Sequence, residues 1–411
     1  MNLRKLLIFG VALACLPALV AQVCLECHKK VTPSIVSDWQ VSRHAKNNVE
    51  CSTCHGEEHT SAQDAAKARI PMPETCAGCH AERVKQFQTG KHALGWAAMK
   101  GMLSFRQPMA PIEVIKGFCG CHRIGLKSEG EIRELGKQGG VGVASCDACH
   151  TRHAFSMQKA RQPQACQTCH MGSQHPQWET YSTSKHGVQA LLRQTRTLPE
   201  TVTGPTCQTC HMPNRDHAVQ TAWGALAVRL PMPEDKQWAA DGLTILKAVG
   251  VLDPEGKPTG RLEAVKQAKL VRLTQEDWQR ERDKMLRTCN RCHSANFARG
   301  ELEKADRMIR EADRLMAEAI ETVAALYKDG VLAKPREYAY PYPDLLFLHG
   351  AATPVEQKLF VMLREHRVRT LQGIFHANPD YAQSYGWSEM KRDLAEIKQQ
   401  AAELRREART R

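Results

Sequence analysis

The chain has 411 residues, of which 42% are hydrophobic, 25% are charged and only 6% are aromatic, with a formal net charge of +13. This composition is typical of a folded globular protein and excludes collagen-like and intrinsically disordered chains. The one long apolar stretch lies at the N-terminus, which excludes a polytopic membrane protein.

Residues 1–21 are predicted to be an export signal. Arg4 and Lys5 precede a short apolar run, and the run ends at Ala21 in a plausible cleavage site. A retained membrane anchor is one alternative, which the shortness of the run disfavours. Lipidation of Cys15 is another, although the residues before it match that signal poorly. We expect a soluble protein that is periplasmic or otherwise exported, in a compartment that permits disulfides.

The other 16 cysteines form eight close pairs, each followed directly by a histidine. Seven have the spacing Cys-x-x-Cys-His: Cys24, Cys27 and His28; Cys51, Cys54 and His55; Cys76, Cys79 and His80; Cys146, Cys149 and His150; Cys166, Cys169 and His170; Cys207, Cys210 and His211; Cys289, Cys292 and His293. The fourth pair in chain order is shortened to Cys119-Gly120-Cys121-His122.

Cys-x-x-Cys-His is the attachment motif of c-type haem. One helical turn places two thiols beneath the vinyl groups of the porphyrin, and the histidine then points at the iron. Disulfides need no histidine, and zinc ribbons need none beside the second cysteine. The repetition therefore predicts eight covalent c-type haems, whose apolar discs would fill the core of an aromatic-poor chain. We expect a mainly α multihaem cytochrome c with a loop-rich, haem-packed N-terminal region.

Ten histidines remain beyond the eight proximal ones. A low-spin haem commonly takes a second axial histidine, so eight such haems would use eight of the ten and seven would use seven. The count leaves open whether one iron keeps an open position. Local context favours six of the ten, and two more complete the set of distal candidates: His44, His59, His92, His153, His186, His217, then His366 and His376. A surface or core role is the alternative for any of them.

The long gap between Cys207 and Cys289 is rich in proline and glycine and is predicted to be a loop-rich excursion rather than a second domain. Glu301–Asp329 is the clearest helix. It repeats apolar residues every seven positions, with small residues three after each, and Gly330 ends it. It is either an ordinary bundle helix or a coiled coil between subunits.

Two further helices are predicted at Val355–Phe375 and Ser388–Arg405. The charged residues Glu389, Lys391, Arg392 and Asp393 are interpreted as a solvated face of the last one. The positive net charge is interpreted as pairing of lysine and arginine with haem propionates, so no nucleic-acid partner is expected.

The segment Cys146–Gly187 and the tail HANPDYAQSYGWSEMKRDL from His376 resemble the octahaem hydroxylamine oxidoreductase family. The resemblance implies a C-terminal bundle of long helices after the haem region, and a homotrimer. Residues 22–300 would be the octahaem-binding region and residues 301–411 the bundle, a probable oligomer interface. It also implies seven bis-histidine haems and one catalytic haem, attached at the fourth motif, which oxidising members cross-link to a tyrosine.

Carried onto this chain, the resemblance makes His122 the proximal ligand of the catalytic haem and His175 its distal acid/base. Tyr381 or Tyr385 would be the cross-linking residue. Gln174 stands where the family has aspartate, so a charge beside the distal histidine is lost. Cys119 sits one residue too close to its partner for regular attachment, so this haem would have one thioether or a strained second one.

The resemblance implies oxidation of hydroxylamine to nitric oxide or nitrite, with electrons leaving through the bis-histidine haems. One alternative is the reverse chemistry, which turns nitrite or hydroxylamine into ammonium. Another is a non-catalytic electron conduit. The implied partners are a small nitrogenous substrate (hydroxylamine, nitrite or hydrazine) and an electron-transfer cytochrome or quinone-linked protein.

Overall fold

A computed structural model describes residues 16–101, 120–138, 142–199, 201–222, 232–267, 274–346, 351 and 353–410. These residues are largely helical and form no β-strand, which confirms the predicted mainly α class. They divide into two compact units, one from the described parts of 1–96 and 116–165, the other from those of 97–115 and 166–411. None of the described helices is long and apolar enough to cross a membrane.

The helices between residues 16 and 167 are α1 (Leu16–Val31), α2 (Pro33–Val41), α3 (Arg43–Lys46), α4 (Cys51–His55), α5 (Pro73–Thr89), α6 (Gly95–Gly101), α7 (Glu129–Gln138), α8 (Met157–Ala160) and α9 (Gln164–Gln167). They belong to the first unit, except that α6 and α9 begin in the first unit and end in the second. Short 3₁₀ turns lie at Ala62–Lys67, His92–Leu94, Gly120–Arg123 and Cys146–Ala148.

Few apolar side chains are packed together in the first unit. Its cluster of buried residues consists of Ile132, Leu135 and Val143, with Ile70 and Trp96 among the partly buried residues that pack against it. Burial of a few side chains supplies little of the free energy that orders a domain of this size. The side chains described here therefore leave the unit with a small core of its own.

The helices of the second unit are α10 (Gln177–Ser182), α11 (Lys185–Gln194), α12 (Cys207–His211), α13 (Lys236–Ala248), α14 (Gly260–Gln267), α15 (Gln275–Cys289), α16 (Ala295–Lys328), α17 (Pro354–Val361), α18 (Val368–Phe375), α19 (Pro379–Tyr381) and α20 (Ser388–Thr410). A 3₁₀ turn lies at Pro213–Arg215, and two π-helical turns lie at Met362–Arg367 and Ala382–Trp387.

Helix α16 confirms the helix predicted at Glu301–Asp329 and begins six residues earlier. Its start is fixed by Ser294, whose side chain accepts a hydrogen bond from the backbone N–H of Phe297. Of the heptad residues, Ile309, Met316 and Val323 are fully buried and Leu302 is partly buried. They pack in a core formed with α13, α17, α18 and α20 of the same chain. The seam is therefore covered within the chain, as in a bundle helix, and is not open to a coiled-coil partner.

The prediction of a loop-rich excursion between Cys207 and Cys289 is wrong. Its described residues carry α13, α14 and α15, and Trp238, Ile245 and Leu262 are buried in the core around α16. Proline and glycine are concentrated between these helices, which is why composition suggested a loop. The segment lies in the same compact unit as the bundle, so it does not form a separate domain.

The helix predicted at Val355–Phe375 is confirmed, but it contains the π-helical turn Met362–Arg367. The one predicted at Ser388–Arg405 is confirmed as α20 and is preceded by the second π-helical turn. The two stretches approach closely, since a Cβ added at Gly386 would lie 2.4 Å from the backbone nitrogen of Thr370. Only glycine fits there.

The predicted solvated face of α20 is wrong at one residue. Lys391 and Arg392 are exposed, but Asp393 is only 2% exposed and contacts His366 and Lys358. The periodicity of charged residues does not separate a solvated carboxylate from one that is paired inside a bundle.

A second buried charge pair holds the middle of the bundle. Arg367 and Asp313 are 1% and 2% exposed, and a guanidinium N–H donates to the Asp313 carboxylate at 2.7 Å. The indole N–H of Trp238 donates to the other carboxylate oxygen at 2.8 Å. Three helical segments are thereby joined by one hydrogen-bonded network.

Candidate functional site

Five attachment-motif histidines each face one further histidine of the same unit. The ring centroids are 6.0 Å apart for His28 and His59, 6.0 Å for His55 and His153, 6.2 Å for His80 and His44, 6.4 Å for His211 and His376, and 5.9 Å for His293 and His186. In every one of these pairs, one member follows a cysteine pair and the other does not.

The spacing of these pairs suits one metal ion between two imidazoles. An iron bound by two Nε2 atoms at about 2 Å each holds the ring centroids roughly 6 Å apart. The rings are inclined at 39° to 66° rather than stacked face to face. The donor sets fit bis-histidine haem, and no group of three or more His, Cys, Asp or Glu side chains among the described residues converges as a zinc site would.

The Nδ1 atoms of several paired histidines have backbone partners. The Nδ1–H of His55 donates to the carbonyl of Arg69 at 2.8 Å, and that of His211 to the carbonyl of Gln220 at 2.8 Å. His376 does the same with Gln372 at 2.8 Å. A proton held on Nδ1 leaves the Nε2 lone pair for a metal ion.

Burial favours the neutral form of several of these imidazoles. It lowers the pKa of His376 to about 4, with His211 adding to the effect. It also lowers the pKa values of His44, His153 and His186, to which the facing histidine contributes in each case. Iron requires the neutral form, so the protein presents these side chains in the state that binds metal.

The attachment motifs close one helical turn each. The backbone N–H of His150, His170 and His293 donates to the carbonyl of the first cysteine of its own motif at 3.0 Å. The fifteen described motif cysteines form no disulfide. The local geometry is that required for two thioethers and one axial histidine.

Thiols of different motifs also meet. Cys76 shares a hydrogen bond with Cys146, and Cys166 shares one with Cys207. The first bond lowers the pKa of Cys76 to about 7 and raises that of Cys146. The motif of Cys76 therefore lies beside that of Cys146 in the first unit, and the motif of Cys166 lies beside that of Cys207 in the second.

The fourth motif is described from Gly120, and Cys119 lies outside the described residues. His122 sits on the 3₁₀ turn Gly120–Arg123, and burial lowers its pKa. Cys121 is exposed. The fourth motif shares its 3₁₀ turn with the regularly spaced motif that begins at Cys146, whereas α4 and α12 carry their motifs on α-helical turns.

The segment after the fourth motif is held firmly. The N–H of Leu126 donates to the carbonyl of Ala93 at 2.8 Å, and the ammonium of Lys127 donates to the carbonyl of Gly125 and to Ser145 Oγ at 2.6 and 3.2 Å. A Cβ at Gly125 would lie 2.4 Å from the backbone nitrogen of Trp96. Burial lowers the pKa of Lys127 to about 8.

The predicted catalytic residues are divided between the units. His122 belongs to the first, whereas Gln174, His175, Tyr381 and Tyr385 belong to the second. Within the second unit the rings of the two tyrosines are 5.0 Å apart, and Tyr385 is 60% exposed. Burial raises the pKa of Tyr381.

His175 lies in a closed loop between the sixth motif and α10. The carboxylate of Glu179 accepts a hydrogen bond from the N–H of Gly172 at 2.8 Å, which joins the two ends of the loop. His175 and Gln174 are exposed, and the Gln174 amide oxygen accepts a hydrogen bond from Arg364 at 2.8 Å.

Three other predicted distal residues have different surroundings. His92 begins the 3₁₀ turn His92–Leu94 in the first unit. The Nδ1–H of His217 donates to the carbonyl of Arg215 at 2.8 Å. His366 lies on the π-helical turn with Nδ1 2.5 Å from the carboxylate of Asp393.

Sequence reasoning missed Asp64, Asp393 and Arg364. Asp64 accepts from the Nδ1–H of His59 at 2.9 Å, and hydrogen bonds from the backbone of Ser61 and Thr60 lower its pKa. The capping pattern Ser-x-x-Asp was the signal that could have located it. Asp393 and Arg364 contact residues far away in the sequence, so no local pattern marks them.

Comparison with known proteins places these motifs in a wider group. The family model for seven-times multihaem cytochromes with CxxCH motifs matches residues 22–221 and 262–337. A probable nitrite reductase–hydroxylamine oxidoreductase fusion protein of Kuenenia stuttgartiensis is 26% identical, in an alignment that covers 93% of this chain and 51% of that protein. The chain thus spans about half the length of this relative.

Two solved structures share the fold. A reducing HAO-like protein complex of Kuenenia stuttgartiensis matches with a TM-score of 0.70 and 22% identity, over 96% of this chain and 87% of that one. A hypothetical multiheme protein matches with a TM-score of 0.68 and 21% identity, over 95% of this chain and 96% of that one.

Proposed function

The chain belongs to the multihaem c-type cytochrome family with repeated CxxCH motifs, and from that premise we propose that it is an octahaem oxidoreductase of the hydroxylamine oxidoreductase type. It would convert hydroxylamine at the haem of the fourth motif and pass electrons along haems with two histidine ligands. One thioether, or a tyrosine cross-link, would distinguish the fourth haem.

The observation that carries this proposal is the set of five histidine pairs. A relay needs irons that keep both axial ligands while they change oxidation state, and opposed imidazoles at about 6 Å supply them. The meeting thiols of Cys76 and Cys146, and of Cys166 and Cys207, support short steps between haems. His92, His217 and His366 remain proposed distal ligands.

The proposal assigns the reaction to the fourth motif because it alone departs from the regular spacing. Haem would supply the redox chemistry when bound. His122 would hold the iron from one side, and His175 would take protons from hydroxylamine or return them. The loop closed by Glu179 and Gly172 would fix the backbone on which His175 stands.

Reduction of nitrite or hydroxylamine to ammonium is the second candidate, and one contact favours it. Gln174 is neutral and accepts a hydrogen bond from the cation of Arg364. The surroundings of His175 are therefore more positive than with an aspartate at position 174, which favours the binding of anions and the uptake of electrons. The names of the relatives include a nitrite reductase and a reducing HAO-like complex. A cytochrome or a quinone-linked protein would supply the electrons.

We further propose export after removal of residues 1–21, with residues 22–300 as the haem-binding region and 301–411 as the bundle that forms a homotrimer. Residues 1–15 lie outside the described residues. The expectation of a soluble exported protein rests on the apolar N-terminal segment and on the fact that c-type cytochromes generally mature outside the cytoplasm.

Steady-state turnover tests the proposal. The matured protein is mixed with hydroxylamine and an oxidised dye, then with nitrite or hydroxylamine and a reduced dye. We expect turnover in at least one arrangement, and a loss of roughly 10²- to 10⁴-fold in the His175→Gln variant. The His349→Gln variant, at a histidine to which no ligand role is assigned, is the control for loss of a histidine. Eight low-spin EPR signals with no turnover would instead identify an electron conduit.

A further inference from the structure

The helical stretch Pro354–Phe375 contains one cation that is paired differently from its neighbours. Lys358 contacts the carboxylate of Glu396 at 2.6 Å, Arg367 that of Asp313 at 2.7 Å, and Arg369 that of Glu365 at 3.2 Å. Arg364 has no carboxylate partner among the described residues. Its guanidinium instead donates a hydrogen bond to the neutral side-chain amide of Gln174.

A guanidinium with one amide contact keeps most of its donors for another molecule. Arginine carries five N–H groups in a planar fork, which matches a planar anion with two oxygens. Arg364 is partly buried, and burial lowers its pKa. A cation that loses water without gaining a carboxylate is costly unless an anion joins it.

The place of Arg364 is set by the loop that carries the proposed acid/base. Its partner Gln174 directly precedes His175, and both lie in the loop that Glu179 closes. Arg364 lies on the π-helical turn Met362–Arg367, whose last residue forms the buried pair with Asp313. The guanidinium of Arg364 therefore contacts the residue that directly precedes His175.

We propose that Arg364 is a substrate-binding residue that recognises nitrite. This inference rests on the proposed function, in that His175 serves the fourth haem. Nitrite is a planar anion with two oxygens, whereas hydroxylamine has no negative charge for the guanidinium to bind. A haem propionate offers the same two-oxygen chemistry and is the competing source of the anion. Nitrite takes six electrons and eight protons to yield ammonium and two waters, with the redox partner as the electron donor.

The test compares the Arg364→Gln and Arg364→Lys variants with the wild-type holoprotein. Nitrite binding to the oxidised protein is titrated optically and by EPR, and turnover of nitrite and hydroxylamine is measured separately. A charge-assisted pair implies that Arg364→Gln weakens nitrite binding by roughly 10- to 100-fold, and that Arg364→Lys loses less. Hydroxylamine turnover should change by less than about twofold. The reduction potentials of all haems should stay unchanged.

The matched control is Arg369→Gln, which removes a cation from the same helix that already has a carboxylate partner. It should leave nitrite affinity unchanged. Equal nitrite affinity in wild type and Arg364→Gln would overturn the inference. So would a parallel loss for nitrite and hydroxylamine with a shifted haem potential, because that result assigns Arg364 to a propionate.

The two proposals can fail separately. If the wild-type protein binds nitrite through Arg364 but turns over neither substrate, the inference holds and the enzymatic function is wrong. If nitrite is reduced equally well without Arg364, the function holds and the inference is wrong. Haem content of each variant, measured by absorbance, shows that it has matured.

Discussion

The first unit and the helical bundle of the second reach a folded state by different means. The bundle buries a continuous set of apolar side chains around Ile309, Met316 and Ile320, each fully buried. The first unit has Ile132, Leu135 and Val143 as its buried cluster, and Val36, Val84 and Phe87 are buried outside that cluster. The bundle is thus specified by side-chain packing, whereas the described side chains of the first unit form only a small core, which we propose that haem completes.

The largest expected effect comes from withholding haem. In cells without cytochrome c maturation, we expect amide protection in the first unit to be lost completely, because its side chains bury little apolar area. Helices α13, α16 and α20 should keep their protection, since their core needs no cofactor. Hydrogen–deuterium exchange on both forms measures this. Similar protection in the two units of the haem-free protein would break the comparison.

The next effect concerns the buried charge pair. Asp313→Asn would leave the guanidinium of Arg367 buried without a counter-charge, and we expect a loss of about 3–5 kcal/mol of bundle stability. Urea unfolding followed by far-UV circular dichroism measures it. Glu311→Gln, on the exposed face of the same helix, is the control and should change stability by less than about 0.5 kcal/mol. Equal effects would contradict this account of the bundle.

Matched truncations in the two cores sharpen the contrast. Ile320→Ala should destabilise the bundle by about 3–4 kcal/mol, because its neighbours belong to a large packed core that cannot easily close the cavity. Ile132→Ala, at a residue only 3% exposed, should cost about 1–2 kcal/mol in the first unit, whose small cluster relaxes more easily. Local hydrogen exchange in each unit gives both values. A larger loss at Ile132 would reverse the argument.

The smallest effect is a difference in pH response. The pKa of Lys127 is lowered to about 8 by burial, so the unfolded chain binds more protons between about pH 8 and 10.4, and the first unit should gain stability there. Burial and the Glu356 hydrogen bond raise the pKa of Tyr327, so the bundle loses stability above about pH 10, where the unfolded tyrosine ionises.

Each of these two pH-dependent changes in the free energy of unfolding should be about 1 kcal/mol or less, because solvent screens both groups. Hydrogen exchange corrected for its intrinsic pH dependence, at three values between pH 7.5 and 10.5, checks it. The Lys127→Met variant should lose the gain in the first unit and leave the bundle unchanged. A gain that persists in that variant would show that another group is responsible.

Local sequence signals were enough to locate the attachment motifs and the three helical stretches predicted after residue 300. The spacing of Cys-x-x-Cys-His predicts a helical turn, and the heptads of α16 predict its buried seam, because both depend on residues a few positions apart. The same reasoning failed between Cys207 and Cys289, where proline and glycine separate helices whose buried faces are short. It also failed at Asp393, whose burial depends on His366 and Lys358.

The candidate site was harder to predict because its contacts are distant in sequence. Nothing near His376 indicates that it faces His211, and nothing near Arg364 indicates Gln174. The π-helical turn Met362–Arg367, which carries both Arg364 and His366, has no simple local signature in the sequence. The Asp-to-Gln change before His175 was visible from sequence, but the cation that accompanies it was not.

The pairing of histidines has a consequence for biogenesis. In a chain that is threaded through a membrane with its N-terminus leading, His28 and His59 emerge close together, and so do His44 and His80. If each pair holds one iron, as proposed, both histidines of these early pairs would be available after a short stretch of chain. The pair of His211 and His376 would be completed much later, because its members lie far apart in the sequence. A chain released before His376 is made would carry an incompletely ligated, redox-reactive haem.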